Sequence, residues 1–404
     1  MTLDVLARAL DDDIRDDPYP YLAWLRENHP VHQGPAGFYL VATHADCLAV
    51  TANAERFRGP HEHEIPELFP LASRYSAVAM LVDALAMKNP PAHSRLRRLY
   101  NRDFTARHVD KMRADTALRC AQILDDVEAP LRDGEAVDAY ERITRLLPQA
   151  VLADLLGLPE SDRGWLFDRF LAVLSTFVPG VTVEMLDAAQ KASDEVRDYM
   201  VDLIDLRRRT PAEGLLSDWV QVHHNDPDTF SYPELLSMLW GLVAGGVDTT
   251  ASALSNGVLA MLRHPEHNSW LLDDARAYAN EVLRHESPSF VAGIPRFAVA
   301  DTELSGVLIP AGSDVRTLLG AANRDPAVFP DPDRFDPARD TAKSLSFGRG
   351  IHFCLGANVA LQELTTLLPA LHQRFPALRL ADRPRWRRSL PVRAIEKLPV
   401  ALDI

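Results

Sequence analysis

One cysteine stands in a setting suited to metal chemistry. Phe347-Gly348-Arg349-Gly350-Ile351-His352-Phe353-Cys354-Leu355-Gly356 runs directly into a helical pattern from Ala357 to about Leu368, so Cys354 sits just ahead of a helix N-terminus. The unpaired amides and the positive end of the helix macrodipole favour an anion there, lowering a thiol pKa and keeping the sulfur as thiolate. A thiolate is the axial ligand a haem iron needs if electron density is to be pushed toward O–O cleavage. Gly348, Gly350 and Gly356 permit positive φ and let the loop lie close against a flat macrocycle. A structural cysteine at a tight turn is the simpler reading of an isolated cysteine; the glycine spacing argues against it. Covalent haem attachment would require CxxCH, which is absent.

A second group lies inside a long helix. Ser231-Tyr232-Pro233-Glu234 is a capping box with proline in the first turn, opening a helix that can run to His264 before Pro265. At ~1.5 Å per residue, some thirty residues make a rod of about 45 Å. Its centre reads Ala244-Gly245-Gly246-Val247-Asp248-Thr249-Thr250. Two mid-helix glycines cost roughly 1 kcal/mol each against alanine, so something should offset them. Gly245 and Thr249 are i and i+4 on one face, as are Ala244 and Asp248. The missing side chain at Gly245 opens a notch, beside a hydroxyl and a carboxylate, in which a diatomic ligand would fit. Close helix packing, with the threonine hydroxyls bonded back to carbonyls, is the competing reading. His93 and Arg97 form a further pair four apart after Pro90-Pro91, where they could meet the propionates of a buried haem. Glu281 and Arg284 share a face of the helix ending before Pro288.

The cysteine segment resembles the haem-binding signature of the cytochrome P450 family, FGxGxHxCxG, matched at every fixed position. Asn89-Pro90-Pro91-Ala92-His93-Ser94-Arg95-Leu96-Arg97 resembles the family's DPPxHxxxR segment with Asn89 in place of aspartate, and Glu281-Val282-Leu283-Arg284 its ExxR pair. The likeness runs from Asp17-Pro18-Tyr19-Pro20 to Leu398-Pro399-Val400, with the motifs in the family's order. It implies Cys354 as the iron ligand, Asp248 and Thr249 as the acid and alcohol organising proton delivery to bound O2, and His93, Arg97, His352 and Arg296 at the propionates. Phe347, Ala244, Gly245 and Gly356 complete the implied cofactor contacts. Glu281 and Arg284 take a structural role, with Arg334 as third member. The implied activity is oxidation of a mostly hydrophobic small molecule, hydroxylation above all. The cofactor is haem b, with electrons from NAD(P)H through separate ferredoxin and reductase partners, since no flavin or iron–sulfur domain is fused here. A peroxide-driven variant and a haem-bearing binding protein without turnover are the alternatives; the retained Asp248-Thr249 pair speaks against both. The family layout also implies a pocket drawn from Phe57 to Met87, Trp165 to Leu186, Leu239 to Val243, Phe290 to Ile294 and Leu390 to Val392, and a slightly long loop from Ser287 to Pro295. Trp386-Arg387-Arg388-Ser389-Leu390 with Leu398-Pro399-Val400 resembles bacterial members acting on polyketides and related natural products, which points to secondary metabolism.

The elements that must position these residues are mainly α with small β-sheets. The expected organisation is a single large P450 domain over 1–404: a β-containing part at about 1–90, a helical core at about 91–286, and a β/coil part with the haem-binding loop at about 287–404. From about Ser94 to Arg276 apolar residues recur at helical spacing, as in Ala117 to Val127 and Ile143 to Leu156. Phe38 to Ala42, Phe297 to Ala300, Val307 to Ile309 and Val315 to Leu318 read as strands. Asn323 to Asp340 holds Pro326, Pro330, Pro332 and Pro337 and should be an ordered coil packed on something. The totals agree: 47% hydrophobic and 25% charged over 404 residues describe a chain able to bury a large core. Forty-three basic against 57 acidic residues give a net charge of −14, which argues against coating nucleic acid or an anionic membrane. Three cysteines (Cys47, Cys120, Cys354) and no basic-then-apolar leader within Met1 to Asp17 fit the cytoplasm. Against that charge, His93 to Arg113 carries seven basic residues and two acids, either a solvated helix face or a docking patch for an acidic ferredoxin. His61-Glu62-His63-Glu64 reads as a solvent loop rather than a metal site.

Overall fold

The computed structural model describes residues 11–34, 37–69, 71, 74–174, 182–291, 294–389 and 391–403. Most of the Met1 to Asp17 segment lies outside the described residues, as do positions in the pocket ranges Phe57 to Met87, Trp165 to Leu186, Phe290 to Ile294 and Leu390 to Val392, and in the Ser287 to Pro295 loop. Helices dominate and the sheets are small, which is the mainly α architecture expected from the sequence. The backbone forms two compact units interleaved along the chain. One comprises Met1–Gly59, Ala106–Leu147 and Thr249–Ile404, the other Pro60–Thr105 and Pro148–Asp248.

The first unit holds a five-stranded sheet in the order Val31–Gln33, Tyr39–Val41, Asp314–Thr317, Arg296–Ala298, Phe57–Arg58. Only the Tyr39–Val41 pairing with Asp314–Thr317 is parallel; the remaining pairs are antiparallel. Val41, Phe57, Ala298 and Val315 bury against Cys47, Val50 and Leu345, so one core supports both the sheet and the approach to the cysteine loop. The helix Ala357–Arg374 passes well beyond Leu368 despite Pro369. Its buried face continues through Leu364, Leu367, Leu368 and Leu371, and that burial outweighs the one lost ladder bond. Arg374 then ties its end to Asp125 at 2.6 Å and to Glu128, both on the helix Arg113–Arg132.

The helical reading of Ser94 to Arg276 needs one correction. Val137–Asp138 is a strand, paired with Pro399–Leu402, and a π-turn over Tyr140–Thr144 precedes the helix Leu146–Leu156. Two residues are too few to show an alternation, and their partner strand is supplied by the far end of the chain.

The second unit is helical. Its longest complete helix, Val183–Arg209, is capped by Thr182, whose side chain accepts from the Met185 amide, and buries Leu186, Ala189, Val196, Met200 and Leu203 along one face. The helix Tyr232–Arg263 begins in this unit with the reciprocal cap read from the sequence: the Glu234 carboxylate accepts from the Ser231 amide at 2.9 Å, and Ser231 Oγ accepts from the Glu234 amide at 3.4 Å. Arg95 also binds this carboxylate, so the cap is shared with the helix Ala92–Asn101.

Candidate active site

Gly350 explains the shape of the cysteine loop. Its φ is +70°, and an added Cβ would lie 2.9 Å from the carbonyl oxygens of both Thr51 and Ala52, so the loop backbone rests directly on the end of the helix His44–Ala52. Gly348 takes φ +68°. The Cys354 amide donates to the Phe347 carbonyl at 2.9 Å and closes the loop, with Phe347 and Phe353 edge to face at 6.2 Å. Cys354 is exposed, forms no disulfide, and precedes the helix Ala357–Arg374 by three residues. An added Cβ at Gly356 would meet no atom within 4 Å. His352, in the same loop, is half-buried.

The loop is anchored from behind by a buried ion pair. Glu281 and Arg284 are both 0% exposed and joined by two 2.7 Å hydrogen bonds on the helix Ala275–His285. Arg284 Nη1 donates to the carbonyls of Asn323 and Pro332 at 2.9 Å each. Glu281 also accepts from the Asp336 amide at 2.9 Å. The proline-rich coil is thus ordered, as expected, through carbonyls and amides that a helix or strand would have used internally. The third member of the cluster is Arg339, whose Nε lies 3.4 Å from the Glu281 carboxylate. Arg334 lends only its backbone carbonyl to Arg284, at 3.4 Å, and its exposed guanidinium pairs with Asp336. This corrects the assignment of Arg334: the coil turns its side chain outward, and charge type alone could not distinguish the two arginines.

Two residues that sequence reasoning missed carry the anchor onward. Asn323 Oδ1 accepts from the Leu345 amide at 2.7 Å, its Nδ2 donates to Ser346 Oγ at 2.9 Å, and Ser346 Oγ donates to the Leu283 carbonyl at 2.6 Å. Residues 345 and 346 lead straight into Phe347, so the Glu281–Arg284 helix holds the start of the cysteine loop through Asn323. The fully buried position of Asn323 is invisible from its type, although Asn immediately before a proline-rich coil is a signal to examine.

A second buried cluster adjoins the end of the same helix. Burial alone would raise the Glu286 pKa, but Arg393 and Arg324 outweigh it and hold the carboxyl at about 2. His285 Nε2 faces the Asp333 carbonyl at 3.0 Å and Nδ1 faces Arg324 at 3.1 Å. Burial, then the Arg324 charge, pushes its pKa down to about 3, so the ring is neutral. Arg296 lies on its strand at 8% exposure, donates to the Pro295 carbonyl at 3.1 Å, and has its pKa lowered to about 10 by burial. An anionic partner would offset that desolvation.

In the helix Tyr232–Arg263, Gly245 is exposed although Val243 and Val247, on either side, are buried. An added Cβ at Gly245 would meet nothing within 4 Å, whereas one at Gly246 would touch Leu152 at 3.7 Å. The two glycines therefore differ: Gly246 packs and Gly245 opens. Asp248 is 5% exposed, Thr249 half-buried and Ala244 half-buried. On the helix Ala92–Asn101, His93 is buried and Arg97 half-buried, its Nε donating to Asn101 Oδ1 at 2.7 Å. Arg296, His352, Cys354, Gly356, Phe347 and Thr249 belong to the first unit, and His93, Arg97, Ala244, Gly245 and Asp248 to the second. Within the first unit, the exposed thiol of Cys354, the open position at Gly356 and the buried cation at Arg296 fit a haem.

Comparison with known proteins agrees with this chemistry. The model of the family described as Cytochrome P450 matches residues 73–276 and 275–386. Cytochrome P450 BJ-3 of Bradyrhizobium diazoefficiens is 43% identical over 400 residues, covering 96% of this chain and 93% of that protein. The 6-deoxyerythronolide B hydroxylase of Saccharopolyspora erythraea is 39% identical over 325 residues, 79% of this chain and 78% of that protein. Among solved structures, the Bacillus subtilis bacillaene polyketide synthase cytochrome P450 PksS aligns with a TM-score of 0.85 at 29% identity, covering 98% of this chain and 99% of that one. The chain belongs to the cytochrome P450 family and is a P450 monooxygenase, an oxidoreductase.

Proposed function

We propose that this protein, acting as one P450 domain, hydroxylates a hydrophobic natural product of the polyketide type in the cytoplasm, using haem b and electrons passed from NAD(P)H through a ferredoxin. The observation that carries the oxygen-activating part is the opening at Gly245, exposed in mid-helix and one turn before Thr249, with Asp248 adjacent. Haem supplies the redox iron that binds and reduces dioxygen. Cys354 would ligate it as a thiolate, and Arg296, His352, His93 and Arg97 would neutralise its propionates. Ala244, Gly245, Phe347 and Gly356 would lie against its faces. The Thr249 hydroxyl and the Asp248 carboxyl would hold and relay protons at the opening beside Gly245. The substrate class is supported by relatives named as a 6-deoxyerythronolide B hydroxylase and a polyketide synthase P450. No helix among the described residues is long and apolar enough to cross a membrane.

The test is the absorption spectrum of the dithionite-reduced protein under carbon monoxide. The band at the wavelength that names the family is expected, and Cys354→Ala should abolish it. A band typical of histidine-ligated haem in the parent protein would refute thiolate ligation and favour a haem-bearing binding protein. For the donor, Arg98→Glu should slow ferredoxin-driven reduction and flatten its salt dependence. Unchanged kinetics would remove the His93 to Arg113 stretch as the docking patch.

A further inference from the structure

The start of the helix Tyr232–Arg263 is held by more than a cap requires. A capping box is complete once the Glu234 carboxylate accepts from the Ser231 amide and Ser231 Oγ accepts from the Glu234 amide. Here the same carboxylate also takes a fork from Arg95: Nη2 donates to Oε1, and Nη1 donates to Oε2 at 3.3 Å and to the Thr229 carbonyl. Ser231 Oγ donates to Oε2 at 3.0 Å as well. Partial burial would raise the Glu234 pKa, but Arg95 and the Ser231 donors outweigh it and hold the carboxyl below its ordinary value. Arg95 belongs to the His93 to Arg113 stretch, yet this engagement takes it out of the docking patch that Arg98 represents.

The two helices joined by this fork each carry part of the expected oxygen site. His93 and Arg97 lie two residues to either side of Arg95 on Ala92–Asn101, and Gly245 lies eleven residues, or about 16 Å, beyond Glu234 on the other helix. A rigid helix passes any slide or rotation of its first turn on to its middle. The apolar contact between the same elements, Tyr100 edge-on to Phe230 at 6.5 Å, is non-directional and permits both movements. A planar guanidinium fork permits neither, whereas an ammonium at the same place would supply charge without direction. With side chains 33% and 23% exposed, the pair adds at most about 1 kcal/mol to stability, so direction is its larger consequence. We propose that Arg95 is a positioning residue for the oxygen site: by gripping Glu234 it sets the register and rotation of the helix Tyr232–Arg263, and so places the opening at Gly245 relative to His93 and Arg97. This role rests on the proposed reading of Gly245 as the site of the diatomic ligand.

Carbon monoxide affinity of the reduced holoenzyme tests it, recorded together with haem content and the position of the carbon monoxide band. Arg95→Lys keeps the charge and loses the fork; Glu234→Gln keeps an acceptor for the Ser231 amide and loses the charge that Arg95 grips. Each should weaken carbon monoxide binding about threefold or more, the scale of couplings carried through packed helices, with haem content and band position as in the parent protein. The double variant should be no weaker than either single one, because both remove the same contact. Arg163→Ala cuts another half-buried ion pair of the same unit, to Asp154 at 2.6 Å, and should leave the affinity unchanged. Unchanged affinity in Arg95→Lys and Glu234→Gln, additive losses in the double variant, or an equal loss in Arg163→Ala would overturn the proposal. Gly245→Ala separates it from the reading beneath it. If that variant leaves the affinity unchanged, the reading of the opening fails and the positioning role with it; a loss in Gly245→Ala with none in Arg95→Lys removes the positioning role alone.

Discussion

Gly350 and Gly245 are both glycines at places where this protein's chemistry is expected, and they are there for opposite reasons. At Gly350 the backbone is left-handed and two carbonyl oxygens stand 2.9 Å from where a Cβ would be, so structure requires the glycine. At Gly245 the backbone is helical and nothing lies within 4 Å, so structure would prefer alanine. The cysteine loop is therefore braced from behind by its own protein, while the helix centre is left unfilled. A thiolate ligand has to be held in one geometry, and a site for a diatomic molecule has to be kept empty.

The strongest way to break this contrast is to cut the anchor behind the loop. Glu281→Gln leaves Arg284 buried at 0% exposure with a neutral partner, and losing one member of a buried pair costs about 3–5 kcal/mol. We expect a large drop in thermal midpoint together with poor haem retention, read from the ratio of haem to protein absorbance after purification. A fully haem-loaded variant of unchanged stability would show that the pair does not support the loop. Next in size, Gly350→Ala should cost about 1–3 kcal/mol in backbone strain. Overpacking against the two carbonyls adds a further ~1–3 kcal/mol. The helix His44–Ala52 would have to shift, and the carbon monoxide spectrum should show a fraction with lost thiolate ligation.

How far these features were legible in the sequence follows the same division. Cys354, with its amide on Phe347, and the Ser231–Glu234 cap are local patterns whose partners lie within ten residues, and they were readable; the loop glycines were readable as glycines, but the Thr51 and Ala52 carbonyls that require Gly350 were not. Glu281 and Arg284 were readable as a pair, but the third member was not: whether Arg334 or Arg339 turns inward depends on the path of a coil with no period. Asn323, the residue that passes the anchor to Leu345 and Ser346, is one polar residue among many until its burial is known. Val137–Asp138 was lost because its strand exists only through Pro399–Leu402.

On the anchored side acid should act through His285. His285 is held neutral, with a pKa of about 3 against 6.5 when unperturbed, so below pH 6.5 the unfolded chain binds a proton that the folded chain refuses. Stability from this group is complete above about pH 6.5 and declines as pH falls toward 3, by about 2 kcal/mol at pH 5 if it acts alone. His285→Gln should be less stable than the parent at pH 7.5 yet lose less between pH 7.5 and 5, measured by urea unfolding at each pH. Parallel pH profiles would show that acid lability arises elsewhere, the Glu286 cluster being next to titrate.

The smallest expected effect sharpens the comparison most, because it has the opposite sign. Gly245→Ala introduces a methyl group into open space on a helix, which should raise stability by about 0.5–1 kcal/mol through helix propensity alone. The same methyl occupies the notch beside Thr249, so carbon monoxide and dioxygen should bind more weakly. Gly246→Ala is the control: it gains the same propensity, but its Cβ meets Leu152 at 3.7 Å, an ordinary packing distance, and ligand affinity should be unaffected. If Gly245→Ala gained stability with no loss of diatomic affinity, the opening would have no part in oxygen binding. A loss of stability at Gly245 would instead mean that the helix needs its glycine for packing, as the loop does at Gly350.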